Sequence, residues 1–305
     1  MTERLGIDFL RGIAMHAPHM TETADFYTGT WGLKSVPSDD DTVYLRGTGP
    51  EPFIYALTDG DNYGIDYINF GMNSRERLQA LFDQLNGAGA AIVSEPADQT
   101  TPGGGFGFML RDPDNRLLRI VADVEPNRDT SEEFAMPVKV SHVVINTPDI
   151  KSTEAFYSDV LGFRLSDYYV DRMSFLRCSS DHHSIGLFQN DHASANHVAF
   201  EMPDMDSFMR GIGRMKQMGH VPSWGPGRHG PGNNPFAYFV SPSGFVIEFT
   251  TELQQIDEAT HVAKEWPWGD PELSDRWMTA GPPTPAMRAV MLGRPDRGFP
   301  SEGAN

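Results

Sequence analysis

The sequence has one cysteine, few basic residues and no long apolar run. The lone Cys178 excludes a disulfide within the chain and fits a reducing cytoplasm. No segment approaches the roughly 18 consecutive apolar residues typical of a membrane-spanning helix. The opening MTERLGIDFL is acidic and has no apolar stretch before a small-residue cleavage site, so it does not resemble a signal peptide. We therefore expect a cytoplasmic protein with no membrane partner.

The scarcity of basic residues also limits the partners of the chain. Its 305 residues contain 24 Lys and Arg against 42 Asp and Glu, which gives a net charge of −18. A surface this acidic repels phosphate backbones, so we expect no nucleic-acid partner. Hydrophobic residues make up 39% of the chain, and its length allows two domains with ordinary cores.

Segments of the first half of the chain recur in the second half at a nearly constant offset. Three matches lie 130 residues apart and one lies 129 apart, always in the same order. Such regularity predicts two homologous modules. The matches are GIAMHAP ending at Pro18 with SHVVINTP ending at Pro148, FYTGTWGL from Phe26 with FYSDVLGF from Phe156, IDYINFGM from Ile65 with ANHVAFEM from Ala195, and DPDNRLLRI from Asp112 with SPSGFVIEF from Ser241.

The repeat sets the predicted domain boundaries, and the fold class is α+β. We assign a first module to residues 1–125, with the recurrent part over 6–124, and a second module to 138–252. Each module follows the pattern of a strand, a helix and then several strands. In the second module, Asp149 suits a helix N-cap and Gly162 suits the end of that helix.

The residues outside the two modules differ from them in composition. The link from Glu125 to Pro137 is acidic and polar, as expected of a connector. The tail over residues 253–305 is rich in proline and glycine and contains Trp266, Trp268 and Trp277. We expect the tail to wrap over the modules and not to form a third core.

Histidines concentrate in the second module, and the repeat provides an internal control for them. Seven of the ten lie between His142 and His229. At three aligned positions the second module has two imidazoles and a carboxylate, whereas the first has none. A purely structural role predicts similar residues in both modules, so the difference indicates a functional site. The aligned pairs are Gly12 with His142, Tyr67 with His197, and Arg119 with Glu248.

Two neutral imidazoles and one carboxylate form the ligand set that occupies one face of an octahedral iron(II) ion. This set leaves adjacent positions open for a substrate and O2. His142, His197 and Glu248 all lie on predicted strands, which hold ligands more rigidly than loops do. A single histidine on a strand is more often a core residue than a ligand. Three together at repeat-equivalent positions predict a metal site.

The second module resembles the vicinal oxygen chelate superfamily, and within it the type I extradiol ring-cleaving dioxygenases. The most specific stretch is GPGRHGPGNNPFAYFVSPSGFVIEF, residues 225–249. The resemblance covers about residues 6–252. It implies two tandem modules built from paired βαβββ repeats, with metal in the C-terminal module only. It also implies that His142, His197 and Glu248 are the metal ligands.

The same resemblance implies roles for three further residues. The second histidine of SSDHHSI, His183, matches the acid/base residue, and its neighbour His182 is expected to point elsewhere. His229 and Tyr238 match residues that line the active site and hydrogen-bond the substrate oxygens. The alternatives without a catalytic role are an exposed turn residue for His183, a surface loop residue for His229 and a core strand tyrosine for Tyr238.

The function implied is extradiol cleavage of a catechol-type ring with O2, as in the catabolism of aromatic hydrocarbons. The cofactor is iron(II), with manganese(II) as the alternative because the ligand set suits both metals. We expect a homo-oligomer. Some extradiol enzymes that act on carboxylated catechols have C-terminal lids, so the tail is either a lid or a segment packed on a neighbouring subunit.

Three competing functions share the fold. One is a redox-inactive lyase or isomerase of the glyoxalase type, which commonly draws four metal ligands from two modules. Another is a metal-free binding protein of the bleomycin-resistance type. The third is a 2-oxo acid-dependent oxygenase with the same ligands. The absence of ligands from the first module, the intact triad and the segment GRHG favour the extradiol enzyme over these alternatives.

Overall fold

The computed structural model describes residues 5–38, 41–130 and 135–296. Residues 1–4 of the first module, 131–134 of the acidic link and 297–305 of the tail lie outside the described residues. Two mixed β-sheets of eight and nine strands dominate the molecule. Among the described residues, none of the helices combines the length and the hydropathy that crossing a bilayer requires.

The first sheet consists of two βαβββ units that meet along the antiparallel pair β1 and β5. Its strand order is β2-β3-β4-β1-β5-β8-β7-β6. The helices of the two units are α1 (Met20–Phe26) and α2 (Arg75–Gly87). The strands are β1 (Phe9–Ala17), β2 (Lys34–Val36), β3 (Val43–Arg46), β4 (Tyr55–Asp59), β5 (Gly64–Gly71), β6 (Ile92–Asp98), β7 (Phe106–Arg111) and β8 (Leu117–Ala122).

The second sheet repeats this arrangement and adds a short strand from the tail. Its order is β14-β15-β16-β13-β9-β12-β11-β10-β17. The helices are α3 (Ile150–Ala155) and α4 (Met205–Gln217). The expected fold of two tandem modules with paired βαβββ repeats is therefore confirmed. The strands are β9 (Lys139–Thr147), β10 (Arg164–Tyr169), β11 (Met173–Arg177), β12 (Ile185–Gln189), β13 (Ser194–Glu201), β14 (Trp224–Arg228), β15 (Pro235–Val240), β16 (Val246–Thr250) and β17 (Lys264–Glu265).

The strand registers of the two sheets match the alignment of the repeat. In the first sheet Gly12 pairs with Asn69, which pairs with Arg119. In the second sheet the pairing runs from His142 through Ala199 to Glu248, and each residue stands at the repeat offset from its counterpart. The internal control therefore compares positions that are equivalent in space.

The first helix of each module ends in the same unusual way. Helices α1 and α3 both continue into a single π turn, Tyr27–Trp31 and Phe156–Val160 respectively. Asp149 is confirmed as the N-cap of α3, since its carboxylate accepts the backbone N–H of Ser152 at 3.1 Å. The helical spacing in the sequence predicts these helices, but it does not distinguish an α turn from a π turn.

The two modules share one hydrophobic core through a reciprocal exchange of aromatic side chains. Trp31, from the first module, is fully buried against Phe249 of the second. Phe163, from the second module, packs edge to face on Phe70 of the first, with centroids 5.5 Å apart. Each module thus supplies part of the apolar surface that buries the sheet of the other.

The described part of the tail contacts the second sheet near both of its edges. Strand β17 pairs in parallel with β10. Two short helices follow, α5 (Pro271–Ser274) and α6 (Pro285–Met291), and Met287 of α6 is buried against strands β15 and β16. The tail therefore lies beside the strands that carry the predicted site.

Candidate metal centre

Three neighbouring strands bring His142, His197 and Glu248 together. His142 on β9 and Glu248 on β16 both pair with Ala199 on β13, so they share a face of the sheet. His197 precedes Ala199 by two residues on β13 and faces the same side, because side chains alternate along a strand. All three side chains are buried.

The geometry of these three residues suits a metal ion. Their ligand atoms all lie within 4.8 Å of one another, and no other such group of three exists in the described ranges 5–38, 41–130 and 135–296. Glu248 Oε2 is 3.3 Å from Nε2 of His142 and 3.3 Å from Nε2 of His197. Within the described part of the chain, neither carboxylate oxygen of Glu248, nor Nε2 of His197, has a hydrogen-bond partner. A buried carboxylate that faces only two neutral imidazoles is costly unless a cation compensates its charge, so the donor set fits a divalent metal.

The protonation states of the centre also suit metal binding. Burial by itself raises the pKa of Glu248, but the contacts with His142 and His197 more than offset it and hold that pKa below its usual value. Burial lowers the pKa of His197. At neutral pH the centre therefore offers a carboxylate and a neutral imidazole, which are the forms that bind a metal ion.

A chain of amides fixes the orientation of the His197 ring. The Nδ1–H of His197 donates to Oδ1 of Asn196 at 2.7 Å. The Nδ2 amide of Asn196 donates to Oδ1 of Asn146 at 2.8 Å, and Nδ2 of Asn146 donates to the carbonyl of Leu292 at 3.1 Å. This arrangement leaves Nε2 of His197 as the ligand atom. Leu292 belongs to the tail, so the tail supports a ligand of the proposed metal.

The equivalent positions of the first module exclude a cation. The Arg119 guanidinium is buried, donates to Thr101 Oγ1 at 2.7 Å and lies 5.8 Å from the centre of the Tyr67 ring. Gly12 has no room for a side chain, because a Cβ there would lie 2.2 Å from the carbonyl oxygen of Ile54. The two modules therefore share the same strand geometry at these positions, but only the second module has side chains there that can bind a metal ion.

His229 and Tyr238 adjoin the centre on the side of His197. His229 Nε2 lies 3.0 Å from the Tyr238 hydroxyl, and the Tyr238 and His197 rings meet edge to face at 5.1 Å. The Nδ1–H of His229 donates to the carbonyl of Ser274 at 3.3 Å, so Nε2 accepts from the tyrosine. Burial lowers the pKa of His229 to about 4. The imidazole is therefore neutral at physiological pH.

His183 adjoins the centre on the side of His142. The two ring centroids are 4.2 Å apart, and His183 is only 3% exposed. The alternative that His183 is an exposed turn residue is therefore wrong. Burial, followed by the proximity of His142 and other histidines, holds the pKa of His183 well below its usual value.

Several residues that support these histidines are not predicted from the sequence. His182 was expected to point elsewhere, but it is fully buried and its Nδ1 lies 3.0 Å from Nδ1 of His183. Asp167 and Trp266 extend this contact toward the tail. The segment Trp224–Arg228 before His229 is a strand and not a loop. No local pattern marks these residues, because their contacts join segments far apart in the sequence.

A family model describes the second module. Residues 139–249 match the Glyoxalase/Bleomycin resistance protein/Dioxygenase superfamily. These residues begin with strand β9, which carries His142, and end one residue after Glu248. The match therefore includes all the residues that the sequence analysis selected for the site.

Known proteins resemble the chain over most of its length. The solved Mn(II)-bound glyoxalase from Novosphingobium aromaticivorans is 36% identical, with a TM-score of 0.88, and the match covers 98% of this chain and 99% of that one. Metapyrocatechase 2 of Cupriavidus necator is 26% identical, over 74% of this chain and 75% of that protein. The iron-dependent extradiol dioxygenase of Rhodococcus jostii strain RHA1 is 25% identical, over 75% of this chain and 83% of that protein.

Proposed function

Since this chain belongs to the glyoxalase/bleomycin resistance protein/dioxygenase superfamily, we propose that His142, His197 and Glu248 bind iron(II) for the cleavage of a catechol. The activity class is that of an extradiol catechol dioxygenase, the class to which curated relatives of the chain belong. One observation carries the proposal. Among the residues that the structure describes, a buried carboxylate without hydrogen-bond partners lies between two imidazoles in the second module, and no such group lies in the first.

The donor set supports iron(II) as the metal, with manganese(II) as the alternative. Two imidazoles and one carboxylate suit either ion. One relative is named as iron-dependent, and another was solved with Mn(II). When bound, the metal supplies a template that holds catechol and O2 side by side and conducts electrons between them.

The residues around the centre supply proton transfer and substrate orientation. His183 lies buried beside His142, where it would take a proton from a catechol hydroxyl and later return it. Tyr238 and His229 lie on the other side, beside His197. Their hydrogen bonds would orient a substrate oxygen and favour the negative charge that develops there.

A glyoxalase-type lyase or isomerase is the second candidate, and it is favoured by the similarity to the glyoxalase from Novosphingobium aromaticivorans. Enzymes of that type commonly use ligands from two modules. In this chain the aligned residue Arg119 is a buried cation and Gly12 has no side chain. The pair of His229 and Tyr238 also has no evident task in such a reaction. These features favour ring cleavage.

The deciding experiment is anaerobic reconstitution with iron(II) or manganese(II), followed by a panel of catechols in the presence of O2. We expect a yellow ring-opened product and uptake of one O2 per ring. A matched panel of thiol adducts of 2-oxoaldehydes tests the lyase. Turnover of an adduct without O2 uptake, and none of the catechols, would overturn the proposal. The Glu248→Ala variant serves as the metal-free control.

We also propose a cellular location and an oligomeric state for the enzyme. The lone cysteine, Cys178, favours the reducing cytoplasm, where small catechols and O2 are the partners. We also propose a homo-oligomer, which sedimentation of the purified chain would test.

A further inference from the structure

A chain of four buried side chains connects the tail to His183. The Nε1–H of Trp266 donates to Oδ2 of Asp167 at 2.8 Å. The same oxygen lies 3.1 Å from Nε2 of His182, whose Nδ1 lies 3.0 Å from Nδ1 of His183. Asp167 is 5% exposed and His182 is fully buried. The ring cleavage proposed above assigns no task to Asp167, His182 or Trp266.

The donor and acceptor capacities of these four side chains determine where the hydrogens of their hydrogen bonds lie. Burial alone raises the pKa of Asp167, but hydrogen bonds from His182 and Trp266 hold it below its usual value, so the carboxylate is ionised and only accepts. His182 must then present its Nε2–H to Asp167. Burial also lowers the pKa of His182, which therefore carries a single proton at neutral pH. Its Nδ1 is left as an acceptor.

An acceptor on His182 requires a donor on His183. The contact between the two Nδ1 atoms can hold one hydrogen, and the preceding step places that hydrogen on His183. We propose that Asp167 and His182 are positioning residues that hold His183 in the tautomer with hydrogen on Nδ1 and a lone pair on Nε2. This rests on the proposed function, in which His183 receives a proton from the substrate.

The tautomer matters because only a nitrogen with a lone pair can act as a base. Nδ1 of His183 is occupied by His182, so Nε2 is the atom available to a substrate bound at the metal centre. The opposite tautomer would present an N–H there and could not take the proton. A neutral imidazole in the wrong tautomer is a known way to lose general-base catalysis without losing the fold.

A direct test is the 15N chemical shift of the His183 side chain in the full chain loaded with diamagnetic zinc(II). The His183→Gln variant assigns the signals. We expect Nδ1 to carry the hydrogen in the wild-type protein. The tautomer is read from the wild-type protein and needs no turnover; the variant serves only to assign its signals. Hydrogen on Nε2 in the wild type would overturn the proposal.

Substitution of Asp167 by asparagine should reverse the donor-to-acceptor direction of the hydrogen bonds that link Asp167, His182 and His183. An Asp167→Asn amide donates to Nε2 of His182, so Nδ1–H of His182 would donate to His183 and move its hydrogen to Nε2. We expect that shift in the spectrum, with a decrease in kcat of at least about tenfold, little change in KM and unchanged metal content. Asp167→Glu keeps the carboxylate and should restore the wild-type tautomer and most of kcat.

The controls separate positioning from packing and from the proposed function. Asp159→Asn makes the same chemical change at an exposed site in the second module and should leave kcat unchanged. Trp266→Phe removes one donor to Asp167 but leaves the carboxylate as the acceptor from His182. The tautomer of His183 should therefore stay that of the wild type. If His183 kept the wild-type tautomer in Asp167→Asn, whether or not kcat decreased, the positioning role would be wrong. Failure to cleave any catechol would refute the proposed function and still leave the spectrum to decide the tautomer.

Discussion

The Trp31 indole of the first module stacks on the Phe249 ring of the second, with centroids 3.6 Å apart and ring planes 10° apart. Phe249 follows Glu248 on strand β16, so its side chain projects from the opposite face of the sheet. The first module, which lacks ligands at the equivalent positions, thus packs directly behind a proposed ligand of the second. This contact gives the metal-free module a structural task.

Replacement of Trp31 by alanine should destabilise the whole chain. The side chain is fully buried, and its loss leaves a cavity between the two modules. We expect a decrease of about 3–5 kcal/mol in the free energy of unfolding, measured by urea denaturation. Trp268→Ala is the matched control, because Trp268 is 53% exposed. Equal losses in both variants would contradict the role of Trp31.

Replacement of Glu248 by alanine should abolish stoichiometric metal binding. The variant loses the only negative charge of the proposed ligand set, so we expect the affinity for iron(II) or manganese(II) to fall at least about 100-fold. Metal analysis after reconstitution and gel filtration measures this. Glu201→Ala, on the same strand as His197 but ion-paired with Lys139, should retain the metal. One tightly bound metal per chain in Glu248→Ala would refute the ligand set.

Replacement of His183 by phenylalanine should separate metal binding from turnover. The ring packs against His142 but is not in the proposed ligand set. We expect a full complement of metal and a decrease in kcat of about 10²–10⁴-fold, as is usual for loss of a general acid/base. His220→Gln, at the end of helix α4 and outside the centre, is the control. Unchanged kcat in His183→Phe would exclude the acid/base role.

The duplication explains why the sequence predicts the ligands so well. Strand registers at Gly12 and His142 are equivalent, so each ligand could be compared with a residue in the same structural position. Periodicity and the N-cap at Asp149 likewise located the strands and helices from local information. These features depend on nearby residues or on the internal copy.

The supporting residues could not be predicted because they have no copy and no local pattern. Asp167 and Trp266 are 99 residues apart, and the tail has no counterpart in the first module. A pair of adjacent histidines also does not reveal from sequence that both are buried, or that His182 bonds to His183. Only the folded arrangement brings these groups together.

The half-buried His229 should make the stability of the chain depend on pH. Its pKa in the folded protein is about 4, below the ordinary value near 6.5. As pH falls from 6.5 toward 4, His229 binds a proton in the unfolded chain but not in the folded chain. The contribution of His229 to the free energy of unfolding is therefore present above pH 6.5 and is lost progressively below it.

We therefore expect the difference in free energy of unfolding between the wild-type protein and His229→Gln to change with pH. Since burial disfavours the proton in the folded state, the wild-type protein should lose about 2 kcal/mol relative to the variant between pH 7.5 and 4.5. Urea denaturation of the metal-free proteins at several pH values measures the difference. A constant difference across this range would show that His229 titrates normally in the fold.

Asp275 anchors the tail next to His229. The buried Asp275 carboxylate accepts the backbone N–H groups of Arg228 at 3.0 Å, Trp277 at 3.1 Å and Ala280 at 2.7 Å. Asp275 directly follows Ser274, whose carbonyl accepts the Nδ1–H of His229. An Asp275→Ala variant leaves these backbone donors without their acceptor, at a cost of about 1–3 kcal/mol.

If the tail serves as a lid and support for the site, Asp275→Ala should lower kcat/KM by about tenfold, because misplacement of substrate-orienting groups by about 1 Å can cost up to 10²-fold. Steady-state kinetics with the best catechol of the panel measures the effect, and metal analysis should show a full complement. Glu272→Ala changes an exposed residue of helix α5, which directly precedes Asp275, and should leave kcat/KM unaltered. Unchanged kinetics in Asp275→Ala would mean that this anchor packs the tail on the module without contributing to the site. In that event the carbonyl of Ser274 would not be what orients His229, and the strand Trp224–Arg228 would have to hold that ring by itself.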